Sequence, residues 1–448
     1  MTFQEFKEAV IARCTQVGLK EYELYYMSGT ATNIDTFQHN INEFSSSESG
    51  GVCLRGIVNG KMGYASTEEL SMSSAQALVD RVLDNASVLE AEEQVFLCEG
   101  GQDYAPLDRE IRQLPSTEEM IRKALEVEQK IYDADEAIID GSQAGVIREH
   151  AEIAIYNSKG LDLSYVNNAT GLVVVAVAGN GQEMSNDYQI KLGQLDQLDV
   201  DGMIGKAVES AKRKLGGEPA PTGQYPVIFS TDAMCSLLQV FSSVFSSETA
   251  QKGLSRLGDQ EGSVIASQLV TLVDDPFHPD SPMRINFDAE GCPTCKKNVI
   301  ENGKLCTLLY NMKTAAAVGK KTTGNGSKAD YNAPVGIRPF TMYLENGQLT
   351  PEELLQKAGE GVYITDLGGL HAGANPISGD FSLQSAGFMI HEGKKCEYVK
   401  SFTVAGNFYD VLKNITALAN NCHLPAAFGT TAFGSPDVLV EGLSVAGK

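Results

Sequence analysis

Gly216-Gly217-Glu218-Pro219-Ala220-Pro221-Thr222-Gly223 is the sharpest break in the chain: a helical pattern runs into two glycines and the prolines forbid its continuation. It divides the 448 residues into 1–217, where helix and strand patterns alternate, and 218–448, where short strand patterns dominate. The expected fold class is therefore α+β, with an N-terminal α+β domain over 1–217 and a mostly antiparallel β domain over 218–448. With 42% hydrophobic and 21% charged residues, the chain can bury two large cores.

Working upstream from the break, Met203, Ile204, Ala207, Val208, Ala211 and Leu215 recur at helical intervals. Before them, strand-like segments 151–156, 161–166 and 172–178 are separated by Asn157-Ser158-Lys159-Gly160 and Asn167-Asn168-Ala169-Thr170-Gly171, which read as turns. Ser116 and Glu119 form a capping box for a helix that ends before Ala137. Thr2 and Glu5 repeat the box at the start of a helix that Gly18 stops. Strands 54–58 and 62–65 then join across Asn59-Gly60, and Leu70 to Ala86 gives another amphipathic helix. The order helix, strands, helix thus occurs twice, and the N-terminal domain reads as two similar α+β units.

Downstream, Asn302-Gly303 and Asn346-Gly347 are hairpin signals, and Glu392-Gly393 is a weaker one. Thr350, Pro351 and Glu353 open a helix, and another spans 232–247.

Thirty-five Lys and Arg against 58 Asp and Glu leave a net charge of −23, which disfavours nucleic acid and anionic membranes as direct partners. The longest apolar run, Leu172 to Ala178, is far short of the roughly 20 residues a membrane helix needs. The opening residues lack the apolar core of a secretory signal, so a cytoplasmic location is expected. Nine scattered cysteines fit reduced thiols better than a disulfide framework.

No complete catalytic signature emerges from the residues. His391-Glu392 begins a metallopeptidase pattern, but Lys395 and Cys396 stand where the second histidine belongs, so His391 reads as a hairpin residue. Cys292 and Cys295 have zinc-ligand spacing without a matching second pair, only Cys306, Cys396 and Cys422-His423 lying at a distance, and read as turn thiols. Asp274, Asp275, Asp280, Asp288 and Glu290, interrupted by prolines, read as solvated turn residues and not as a hard-cation site. The serine-rich 241–247 reads as helix surface and packing, and Gly319 to Gly326 as a mobile loop without the ending of a phosphate loop. No catalytic, metal or cofactor-binding residue is assigned.

Longer stretches carry a resemblance: LVTLVDDP at 269–276, NFDAEGCPTCKKNVIENGKLCTLLYNMKTAAAVG at 286–319, TTGNG at 322–326, SGDFSLQSAGFMIHEGKK at 378–395, VKSFTVAGNFYDVLKNI at 399–415 and SPDVLVEGLSVAGK at 435–448. Together with RGIVNGKMGYAST at 55–67 and NSKGLDL at 157–163, they make the chain resemble the TldD/PmbA family, metallopeptidases also called modulators of DNA gyrase. The resemblance implies two kinds of subunit. One binds zinc through His-Glu-x-x-x-His on an early helix of the C-terminal domain and a late cysteine. The other, PmbA or TldE, lacks that motif.

Here the corresponding helix lies within 232–252, and no histidine occurs between His150 and His278. Cys422 alone cannot rebuild the site. The resemblance therefore implies a non-catalytic subunit without cofactor of its own, paired with a histidine-bearing TldD-type subunit that holds the zinc, and acting on extended or unfolded peptides. The chain alone is expected to be a homodimer. The alternatives are an adaptor that binds a protein such as a topoisomerase, and an unrecognised hydrolase using Cys292, Cys295 or another thiol.

Overall fold

Residues 1–90, 94–107, 111–425 and 431–448 are described by the structure, a computed structural model. The first half is α1 (Phe3–Val17), β1 (Glu21–Phe37), β2 (Asn40–Val58), β3 (Lys61–Thr67), α2 (Met72–Ser87), α3 (Thr117–Ala134), β4 (Gln143–Asn157), β5 (Asp162–Gly179), β6 (Met184–Leu192) and α4 (Val200–Arg213). Helix, three strands, helix thus occurs twice. The six strands form one antiparallel sheet in the order β3-β2-β1-β4-β5-β6, so the units lie side by side and join through β1 and β4.

Local chemistry sets the helix starts. Thr2 and Glu5 exchange hydrogen bonds across the first turn of α1, Ser116 and Glu119 do the same for α3, and Gly18 ends α1 in the left-handed conformation at φ 74°. One face of the sheet carries the helices: Phe6, Val10, Leu78 and Val82 pack on Leu24 and Leu54, while Met120, Ala124, Met203 and Ala207 pack on Val146, Leu172 and Val174. The opposite face meets the C-terminal half, where Tyr25, Ile153, Ile155 and Tyr165 bury against Met283, Ile285, Phe287 and Phe340.

The expected turn at 167–171 is instead the middle of β5. Asn167 to Gly171 pair residue by residue with Ala151 to Ile147. The neighbouring strand satisfies the backbone, and that ladder overrides the local turn preference of asparagine and glycine.

The second half begins with β7 (Gly223–Phe229) and α5 (Thr231–Phe241). Strands 394–407, 380–391, 361–368, β7, 438–446 and 415–418 form a sheet, and 403–405 also pair with 444–446, closing five of the strands into a barrel. A second sheet runs 304–305, 297–301, 272–274, 341–344, 432–434. Pairing is antiparallel except between β7 and 361–368 and between 341–344 and 432–434. The α+β class is thus observed, with a large core that includes Phe229, Leu237, Phe241, Phe402 and Phe408.

Asn59-Gly60, Asn302-Gly303 and Glu392-Gly393 make turns with positive φ at both residues. Asn346-Gly347 does not form a hairpin: strand 341–344 leads through it to the helix Pro351–Ala358. Gly347 is needed there for close approach, since a Cβ would lie 2.0 Å from the Leu418 carbonyl oxygen. The helix expected over 232–247 is broken into α5, a 3-10 turn at Ser242–Phe245 and the short helix Ser247–Gln251. Among the described residues, no helix is long and apolar enough to cross a membrane.

Candidate functional site

The start of α5 gathers polar groups from distant parts of the chain. Ser230 Oγ accepts the Ala233 N–H and caps the helix. The Thr231 N–H donates to Asp437 Oδ1 at 3.0 Å, and Tyr363 donates its hydroxyl to Asp437 Oδ2 at 3.0 Å. Asp437 is 3% exposed, so this carboxylate ties the end of β7, α5 and two barrel strands together. Burial first, then Asp437, holds the Tyr363 phenol well above its ordinary value.

Across the first turn of α5, the late segment containing Cys422 and His423 folds back. Cys422 N–H donates to Asn346 Oδ1 at 2.7 Å, and His423 Nε2 lies 3.3 Å from Asp232 Oδ1. Cys235, one turn along, is buried. Desolvation, then Asp232 and Cys422, pushes its thiol well above the usual range. Burial lifts the Cys422 thiol to about 11. One carboxylate, one imidazole and two thiols held in the protonated form are therefore neighbours, a donor set poor in the neutral imidazoles that hold a catalytic zinc. Among the described residues, the three-residue set of His, Cys, Asp or Glu ligand atoms that converges within 4.8 Å is elsewhere, at Asp288, Glu290 and Cys292.

The hydrogen bond that the imidazole donates to Asp232 raises the His423 pKa above its ordinary value. An imidazole with a raised folded pKa adds stability below its unfolded pKa and loses that contribution as pH rises through the folded value. His423 is half exposed, so the expected effect is a few tenths of a kcal/mol. The wild type should lose this increment between about pH 6 and pH 8, and His423→Ala should not; urea titrations at the two pH values check it, and equal slopes would remove the ion pair.

The acidic segment 274–290 departs from expectation. Asp274, Asp275, Asp288 and Glu290 are 7% exposed or less, and of the five only Asp280 is exposed. Buried donors explain this: Asp274 accepts from Phe340 N, Thr341 N, Asn325 Nδ2 and Lys297 Nζ. Cys292 and Cys295 separate, Cys295 exposed and Cys292 buried with its Sγ 3.1 Å from Cys98 Sγ. Gly319 to Gly326 is pinned in its later half, where Thr322 Oγ donates to Tyr310 O and fully buried Asn325 reaches Asp274. His391, as expected, sits at a hairpin end, exposed between Glu360 and Glu397. Residue spacing could not reveal Asp232, Cys235, Asp437 or Tyr363, because their meeting is set by the barrel.

A cavity of about 580 Å³ opens between the two halves, lined by residues including Arg55, Tyr64, Glu248, Lys252, Glu290 and Thr314. Its size is in the range that encloses a small molecule or a few peptide residues. Arg55 is fixed in its wall by Glu23 at 2.7 Å.

Fold and site define a class: two-lobed α+β proteins in which a closed β barrel presents the start of one helix beside a late cysteine. Three family models match in order, PmbA/TldA metallopeptidase domain 1 over residues 22–86, the central domain over 113–215 and the C-terminal domain over 222–447. The chain belongs to the TldD/PmbA metallopeptidase family. It is 25% identical to the metalloprotease PmbA homolog of Haemophilus influenzae, covering 93% of this chain and 92% of that one. A metalloprotease of Methanothermobacter thermautotrophicus is 27% identical, covering 87% and 85%. Among solved structures, a protein from Thermotoga maritima described as a modulator of DNA gyrase superposes with a TM-score of 0.89 at 28% identity, over 99% of this chain and all of that one. TldE from Thermococcus kodakarensis shares the fold, with a TM-score of 0.87 at 23% identity over 98% and 100%.

Proposed function

We propose that this chain is the non-catalytic subunit of a two-component zinc peptidase that acts on extended or unfolded peptides. The observation that carries the reading is the lack of histidine on α5 and on the short helix after it. Where the resemblance places His-Glu-x-x-x-His, within 232–252, the chain has no histidine, and the imidazole near the start of α5, His423, is engaged by Asp232. A catalytic zinc needs protein ligands that hold it firmly and an open position for water. With no histidine in that segment, the metal and its activated water are assigned to a histidine-bearing partner. This chain would supply the opposite wall of a shared chamber, in which sheet edges bind the backbone of an extended peptide.

The test is peptidase activity on an unfolded protein such as reduced casein, measured for the chain alone, for a histidine-bearing family member alone, and for the mixture. The expected result is no cleavage by this chain and at least about tenfold faster cleavage by the mixture than by the partner, a difference of about 1.4 kcal/mol. Cleavage by this chain that survives chelation and repurification would overturn the reading. A chain that captured a topoisomerase yet left the partner's rate unchanged would make it an adaptor.

A further inference from the structure

The cavity between the two halves has polar groups in its wall that the fold leaves unused. Arg55, Glu290 and Asn311 line it, and each is 6% exposed or less. Glu290 accepts the Met312 N–H on Oε2 at 2.7 Å, and its Oε1 has no partner among the described residues. Asn311 accepts the Thr314 N–H and hydroxyl on Oδ1, which fixes the amide and leaves Nδ2 without an acceptor among the described residues. Arg55 donates Nε to Glu23 Oε1, and its Nη2 is buried with no partner. A buried polar group left unpaired costs about 1–3 kcal/mol, so a ligand that supplies one donor and two acceptors gains what the protein lacks.

Charge decides the kind of ligand. Arg55 stands between two buried carboxylates, Glu23 and Glu290, and so balances only one of them. Lys328, the half-buried cation nearby, lies over the Tyr25 ring at 4.7 Å and is not part of the lining. The lysines of the lining are engaged, Lys61 by Leu89 O and Lys252 by Glu248, and Lys313 has a partner too. Asp288, beside Glu290, already accepts the N–H groups of Glu290, Cys292 and Gly326. The open Glu290 oxygen is therefore the place for a positive group. A bare divalent ion would find too few oxygens there, and a guanidinium and an amide N–H cannot ligate it. An ammonium with a carbonyl next to it suits all three side chains, because the carboxylate takes the ammonium and the two donors take the carbonyl.

We propose that this cavity holds the amino end of an extended peptide, the α-ammonium on Glu290 Oε1, the first carbonyl oxygen on Asn311 Nδ2 and Arg55, and the first side chain against Met62, Val95 and Phe96. At pH 7 most of an α-amino group is charged, so the end binds as an ammonium. The inference rests on the proposed function for peptides as the ligands, and adds which end of the peptide this chain grips. Binding makes and breaks no covalent bond.

Isothermal titration calorimetry of the full-length chain at pH 7 tests it, with leucyl-trialanine amide as the probe. The expected result is one peptide per chain, with the N-acetylated peptide at least about tenfold weaker, a difference of about 1.4 kcal/mol. Glu290→Gln keeps an oxygen for the Met312 N–H and should weaken the free-amine peptide about tenfold while leaving the acetylated one unchanged. Should that variant fail to fold, photo-crosslinking of the wild type decides, using the same peptide with photo-leucine at its first position. Crosslinks should map to 61–64, 94–96 or 311–317. No binding, equal affinity for the acetylated peptide, or crosslinks confined to other segments would each overturn the proposal. So would an acetylated trialanyl-lysine amide that binds as tightly as the free-amine peptide, since the site would then read a side-chain ammonium. The chain is titrated alone and no cleavage is read. Failure here leaves the two-component reading standing, whereas a mixture that cleaves no faster leaves a peptide-binding chain.

Discussion

Replacing Asp274 by alanine should cost about 3–5 kcal/mol, the range for breaking a buried ion pair by removing one partner. Asp274 is fully buried on the central strand of the five-stranded sheet. It accepts two backbone N–H groups, from Phe340 at 2.8 Å and Thr341 at 3.2 Å, plus Asn325 Nδ2 at 2.7 Å and Lys297 Nζ at 3.1 Å. Alanine would strand a Lys297 ammonium whose side chain is 9% exposed and leave two buried N–H donors without acceptors. Removing both charges in Asp274→Ala/Lys297→Met should recover part of the loss, because the uncompensated ammonium is its largest component. Urea denaturation of the three variants measures this. A single-variant loss below about 1 kcal/mol, the scale of a surface pair, would show that Asp274 is not the hub of this sheet.

Gly387→Ala should destabilise the barrel by about 3 kcal/mol, the upper end of the usual range for overpacking. A Cβ at Gly387 would lie 1.9 Å from the Tyr363 carbonyl oxygen and 2.9 Å from Ile364 Cα, so the strand 361–368 must move away. Register shifts on both sides of Gly387 show that the strands already accommodate irregular pairing here. Displacing Tyr363 also pulls its hydroxyl from Asp437, and with it the anchor of the α5 N-terminus. Gly442→Ala is the matched control. Its φ of 75° strains alanine, but nothing lies within 4 Å of the new Cβ, so about 1–2 kcal/mol is expected. Thermal unfolding midpoints compare the two, and a Gly387 variant no less stable than the Gly442 variant would remove the steric reading.

The capping boxes at Thr2, Ser116 and Thr350 and the turns at Asn59-Gly60 and Asn302-Gly303 form where their residues predict. Their hydrogen bonds and φ angles are satisfied within a few neighbours along the chain, so composition suffices. The twofold order of helix, strands and helix was legible for the same reason. So was the lack of histidines on α5, which needs no structure to establish. Local preference failed where a long-range partner outweighed it. Asn167 to Gly171 has turn residues, yet β4 pairs every one of them, and Gly347 serves contact with Leu418 instead of a hairpin.

By itself, then, the sequence determined the α+β class, the positions of locally capped elements and the absence of histidine from 232–252. Only the tertiary structure decided that Asp232 meets His423, that Asp274 meets Lys297 and that Cys98 meets Cys292. Those meetings depend on strand order, barrel closure and the packing of one half on the other. Spacing along the chain carries no record of them, because a buried charge or thiol finds its partner through the fold and not through its neighbours in sequence.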